Sequence, residues 1–173
     1  AKNLNGANLP WKDVIIFDAG GPTGIITYKG PSQENISVTF HGKKAHAGVE
    51  PEKGINAIVV ASHAISNMHI GRIDEETTSN IGRIEGGAAT NVVTDKVTFT
   101  AEIRSHKEEK LEAEIAHMKK CCEDAAKAFN TTYEFNHENS YPRFEVDSES
   151  FVFKLSEEGL KKAGVEPKAM ITG

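Results

Sequence analysis

With 173 residues, 38% hydrophobic and 26% charged, the chain has the composition of a globular protein long enough for one good core. A formal charge of -5 at pH 7, with no Lys/Arg stripe interleaved with aromatics, argues against nucleic acid as the main partner. The longest apolar run is far too short to cross a bilayer, so no membrane partner is expected.

Val14-Ile15-Ile16-Phe17 is a continuous apolar run, the pattern of a strand buried on both faces. Asp18-Ala19-Gly20-Gly21-Pro22 breaks it, and a second strand-like run follows over 23–28. Residues 35–41 alternate, with Ile36, Val38 and Phe40 on one side, which predicts a half-buried strand. A polar loop joins Gly42 to Gly48. Pro51 then stands where a first helical residue belongs, and the spacing predicts a helix over 51–68. Ile55, Ile58, Val59 and Ile65 read as its core face, with Ala57, Val60, Ala61 and Ala64 around the remaining side. A helix apolar most of the way round is buried on two sides. In a domain this small, a second subunit is the expected cover; a helix that is simply Ala-rich is the other reading.

A strand over 78–85 ends at Gly86-Gly87, which offers turn geometry, and a long strand over 91–104 follows. Val97, Phe99, Ala101 and Ile103 share one of its faces; Thr98, Thr100, Glu102 and Arg104 share the other. Ser105 with Glu108 reads as a capping box opening a second helix. Its stripe is Leu111, Ile115, Met118, Cys122, Ala125 and Phe129. Cys121 and Cys122 are adjacent and build no disulfide framework, which points to a reducing, cytoplasmic setting. A fourth strand over 132–137 alternates through Tyr133 and Phe135. The order β-α-β-β-α-β predicts an α+β, ferredoxin-like unit: a four-stranded antiparallel sheet with two helices on one face and a wet opposite face.

An amphipathic helix over 148–163, closed by Gly164, comes next, and 169–173 begins an apolar strand without a visible partner. Both ends therefore read as pieces of a second, α/β domain. The expected organisation is 1–31 and 143–173 as those pieces, flanking a unit over 32–142.

Three stretches carry a family likeness: Asp18-Ala19-Gly20-Gly21-Pro22, the run Phe40-His41-Gly42-Lys43-Lys44-Ala45-His46-Ala47-Gly48, and Gly86-Gly87-Ala88-Ala89-Thr90-Asn91-Val92-Val93. In this order they resemble metallopeptidase family twenty, the family of peptidase T, carboxypeptidase G and the aminoacylases, and most of all its peptidase T-like branch. The resemblance implies a catalytic domain with two zinc ions, interrupted by a ferredoxin-like lid that pairs as a homodimer, here through helix 51–68 and the adjacent edge strand. It also implies that most metal ligands and the Glu-Glu pair with the general base lie outside this chain. The chain alone is then expected to be inactive and metal-free, while the whole enzyme releases N-terminal residues from short peptides. Deacylation of an N-acyl amino acid remains the alternative within the family.

By that resemblance Asp18, at a strand end, matches a zinc-binding carboxylate; by itself it also reads as a turn former. His46 matches a histidine that enters the partner's active site and donates to the oxyanion; by itself it is a solvated loop residue. Asn91 matches an asparagine that orients substrate across the dimer, against ordinary turn chemistry beside Gly. Arg104 is a candidate for a substrate carboxylate, against a surface ion pair with Glu102 or Glu108. His117 and Cys121, four apart on a helix, lack an evident third metal ligand. A stand-alone association or small-ligand-binding module of ferredoxin-like type is the competing reading of the whole.

Overall fold

The computed structural model describes residues 12–17 and 20–173; Asp18 lies outside the described residues. In chain order the elements are β1 (Ile25–Gly30), β2 (Ser32–His41), α1 (Ala57–Ser66), β3 (Gly71–Arg72), β4 (Thr77–Gly86) and β5 (Lys96–Ser105). Then come α2 (Glu108–Ala128), β6 (Thr132–Tyr141), β7 (Phe144–Glu145), α3 (Phe151–Lys162) and β8 (Lys168–Ile171). This is a mixed α+β chain with two sheets, divided into two compact units: Pro31–Arg143, and the chain up to Gly30 with Phe144–Thr172.

The unit Pro31–Arg143 holds one sheet of order β3-β4-β5-β2-β6, with every neighbouring pair antiparallel. The sheet thus has a fifth strand beyond the expected four: β3, two residues long, pairs with Thr78 and Ser79 at the β4 edge. Alternation along β2 and β5 turns Ile36, Val38, Phe40, Val97, Phe99, Ala101 and Ile103 to one face, where both helices pack in a single core. The other face carries His41, Thr39, Thr98, Glu102, Glu134 and Arg104. His41 Nε2 meets Glu134 Oε1 at 2.9 Å there, and the Thr39 and Thr98 hydroxyls meet at 2.9 Å.

The two helices correct the sequence reading in start and in face. Pro51 opens a separate 3-10 turn, Pro51–Lys53, because Ile55 is drawn into an extended bridge with Lys43. The α-helix starts only at Ala57, where the Asn56 side chain accepts a hydrogen bond from Ile58 N at 3.0 Å. Ala57, Val60, Ala61 and Ala64 are the fully buried face, and the larger Ile58 and Val59 point outward. Small side chains let α1 lie close against the bulky Phe40 and Phe99 of the sheet and against α2, so volume complementarity overrides hydrophobicity rank. Ser105 caps no helix. It is the last residue of β5, where its hydroxyl pairs with that of Thr77 at 3.0 Å and accepts from Lys107 N at 3.2 Å. The stripe of α2 is as expected, with Leu111, Met118, Cys122 and Ala125 buried and Ile115 and Phe129 packed against them. Burial pushes the Cys122 thiol pKa up to about 12.

In the other unit, β1 is the centre of a three-stranded sheet, antiparallel to β7 and parallel to β8. The terminal strand thus has a partner that its sequence did not reveal. Ser150 caps α3 by accepting from Phe153 N at 3.4 Å, and Phe153 meets Tyr28 edge-on with ring centroids 6.1 Å apart. Val14–Phe17 departs from expectation: it joins no strand, and Phe17 is 97% exposed. An apolar run becomes a buried strand only with ladder partners and covering layers, and it meets none among the described residues.

Candidate functional site

His46 sits on a loop that is tied down at several points. Lys43 and Ile55 exchange both backbone hydrogen bonds, at 2.9 and 3.0 Å, and Gly42 N donates to Asp95 O at 2.7 Å. Beyond them a short antiparallel ladder forms around the His46–Val92 pair: Val93 N donates to Ala45 O at 3.0 Å and Ala47 N to Asn91 O at 2.9 Å. This ladder places Asn91 in a turn ahead of β5 instead of at its first position, since Val92 N reaches back to Ala89 O. Gly42 is needed for the close approach, because a Cβ there would lie 2.2 Å from Ile55 O and 2.9 Å from Thr94 O.

The ladder also sets direction. Ala45 and Val93 share its inner face, where both crowd Gly54 at about 3 Å from a would-be Cβ. His46, one residue along, therefore faces outward. Its ring is exposed, and its Nδ1 accepts from Gly48 N at 3.2 Å, which orients the imidazole and leaves Nε2 free to donate. The structure thus brings His46 and Asn91 together through backbone pairing, both exposed. Arg104 is not part of this group. It stands eight residues further along β5 from Lys96, about 27 Å at strand rise. Its guanidinium grips Glu102 in a two-pronged pair, 3.1 Å on each side, and this carboxylate holds its pKa above the usual value.

Beside the loop lies an uncovered apolar flank. Ile58 is 42% and Val59 47% exposed on α1, and Ile84 on β4 is 51% exposed. Ile84 reaches the helix side of the sheet because a register shift between Ile81 and Arg83 re-phases β4, so Ile81 pairs with Ala101 and Ile84 with Phe99, both core-facing. Beyond Ser79, the outer edge of β4 through Gly86 has no strand partner among the described residues. The sequence signal for this flank was available: Ile81 and Ile84 three apart around Gly82 suit a bulged strand. Among the described residues, no helix is long and apolar enough to cross a membrane.

Residues 34–130, more than half of the chain, match the family model of the peptidase dimerisation domain, M20_dimer. The chain belongs to the M20 peptidase family. The M20 chain is similar along its whole length to the Bacillus subtilis protein YqjE, at 44% identity over 173 residues and 47% of that protein. Among solved structures, an aminopeptidase PepT from Bacillus cereus superposes with a TM-score of 0.81 at 41% identity, over 90% of this chain and 42% of the other. A tripeptidase from Staphylococcus aureus superposes with a TM-score of 0.88 at 36% identity, over 99% of this chain and 46% of the other. The M20 chain therefore spans less than half the length of these relatives.

Proposed function

We propose that this M20 chain is the dimerisation domain, with flanking catalytic-domain segments, of a peptidase T-like metallo-aminopeptidase acting on short peptides. In this reading 32–142 is a ferredoxin-like lid, and 1–31 and 143–173 belong to the catalytic domain. Two copies pair through the outward side of α1 and the open edge of β4, and His46 reaches the active site of the partner. There its ring nitrogen donates to the oxyanion that develops as water attacks the peptide carbonyl, while Asn91 orients the substrate. The observation that carries the reading is the outward His46 ring on a loop tied to the start of α1, beside the exposed Ile58 and Val59. A histidine held in this way, and not buried in its own protomer, is pre-positioned for use by a neighbour.

The two zinc ions implied by the family need about three protein ligands each. Asp18 is the one matching residue in this chain, so these residues by themselves do not hold the pair, and the chain alone is expected to be inactive. The names of the similar PepT and tripeptidase structures support release of N-terminal residues from short peptides, as against deacylation of N-acyl amino acids. The test is His46→Ala in the full-length peptidase: kcat on a tripeptide falls by about 100- to 1,000-fold, the range for losing one oxyanion donor, with metal content unchanged. Turnover at the wild-type level in this variant removes the role.

A further inference from the structure

The segment after α1 and the side of α2 that faces it meet in a cluster of metal-ligating groups apart from the His46 loop. His69, Glu114 and His117 each present a ligand atom, and these atoms lie within 4.8 Å of one another. Glu114 and His117, three apart on α2, share one helical face. His69 comes from the turn between α1 and β3, where Ser79 Oγ donates to its backbone carbonyl. The two imidazoles stack with centroids 3.9 Å apart and planes 12° from parallel, and Asn67 O lies 3.2 Å from His117 Nε2. Read along the sequence, His117 had Cys121 as a neighbour and no third ligand. The fold supplies two more groups, while Cys121 Sγ, 3.6 Å from His117 Nε2, borders the trio.

A second observation points to a missing partner. Glu114 is 6% exposed, and its carboxylate is only half satisfied: Oε2 lies 3.1 Å from His69 Nδ1, but Oε1 is buried with no hydrogen-bond partner. A buried carboxylate oxygen left alone carries an uncompensated desolvation cost. A proton shared with His69 serves Oε2 and leaves Oε1 orphaned. A cation seated between the carboxylate and both imidazoles serves all three groups at once.

We propose that His69, Glu114 and His117 form a binding site for a divalent transition-metal cation of the zinc type, which staples the end of α1 to α2. Two imidazoles and a carboxylate are a borderline donor set that suits zinc over calcium or magnesium. Tetrahedral zinc with bonds of about 2.0–2.1 Å sets its donors roughly 3.3 Å apart. Closing from separations within 4.8 Å asks for shifts on the order of 1 Å and for one imidazole to turn out of the stack, because the in-plane lone pairs of parallel rings do not converge. His69, whose side chain is 56% exposed, has the freedom to do so. The site does not depend on the peptidase reading, and its failure would leave that reading untouched.

The test uses the whole chain with zinc chloride as the probe, in an Asp18→Asn background so that a stray catalytic-domain ligand contributes nothing. Titration calorimetry and thermal melting are both read. One zinc per chain is expected, with a rise in the melting midpoint. Glu114→Gln, His117→Ala and His69→Ala should each weaken binding at least about tenfold and abolish the rise. Glu109→Gln, an exposed change on the same helix, should leave both intact. The exposed His69→Ala keeps the test decisive if a change at the buried Glu114 prevents folding, which circular dichroism of the metal-free proteins would reveal. No zinc uptake by the folded parent, or uptake indifferent to His69 and His117, overturns the proposal.

Discussion

Val59 and Val60 are neighbours on α1, yet Val59 is 47% exposed and Val60 is fully buried. Val59→Asp therefore strikes the proposed subunit contact, and Val60→Ala strikes the core. Completing the burial of a valine already half covered contributes about 1 kcal/mol, taking ~1.5–3 kcal/mol for a whole apolar side chain. Two-fold symmetry counts that contact twice, so the dimer loses about 2 kcal/mol. That alone loosens it about 30-fold, at 1.4 kcal/mol per factor of ten, and desolvating the new carboxylates adds to the effect. Sedimentation equilibrium over a concentration series should show wild-type dimers and Val59→Asp monomers with a nearly unchanged melting midpoint. Val60→Ala should do the reverse, keeping the dimer while losing on the order of 2 kcal/mol of stability to a cavity. A Val59→Asp protein that pairs as tightly as wild type, or melts as early as Val60→Ala, refutes the assignment of faces.

Gly42→Ala puts a methyl group 2.2 Å from the Ile55 carbonyl oxygen, so the backbone carrying the His46 loop must shift. The expected cost is about 1–3 kcal/mol in thermal or chemical denaturation, together with a fall in kcat of the full-length enzyme; wild-type values of both contradict the tied-loop account. The Asp74 carboxyl is held at about 2, below its ordinary 3.8, chiefly by its hydrogen bond from Lys110. A depressed carboxylate stabilises the fold above its unfolded pKa and loses that contribution as pH falls through the folded one. The difference in urea midpoint between wild type and Asp74→Asn should thus be steady at neutral pH, shrink below about pH 4 and vanish near pH 2. A difference that persists unchanged at pH 2 rules out this pair as its source.

Period and order were legible in the residues where local rules decide. Alternation in 35–41, the single stripe of α2 and the order of the four long strands and two helices needed no tertiary information, because one face of each element had to be apolar. What stayed hidden depended on neighbours. Which side of α1 meets the sheet is decided by the volume left beneath it, and the alanines fit where Ile58 and Val59 do not. Ser105 could not cap α2 because β5 needed it. Val14–Phe17 reads as a buried strand from composition alone but finds no ladder to join among the described residues. For the candidate site, the resemblance of two motifs to the metallopeptidase family pointed to His46 and Asn91. Their mutual placement comes from the ladder around Val92, a pairing of two distant loops with no local signature. Arg104 is paired with Glu102, a neighbour two residues away on its own strand that the sequence also offered.

The account rests on a histidine that serves the neighbouring subunit. Mixed dimers of the full-length enzyme test this most directly, with His46→Ala on one subunit and, on the other, Asp18→Ala, which on the proposed reading removes a ligand of the metal centre. Each variant alone should be nearly inactive. If His46 acts across the interface, random pairing makes roughly half of the dimers mixed, each with one working site, so about a quarter of wild-type activity returns. If mixing restores nothing while the mixed dimers demonstrably form, His46 does not act in the partner's site.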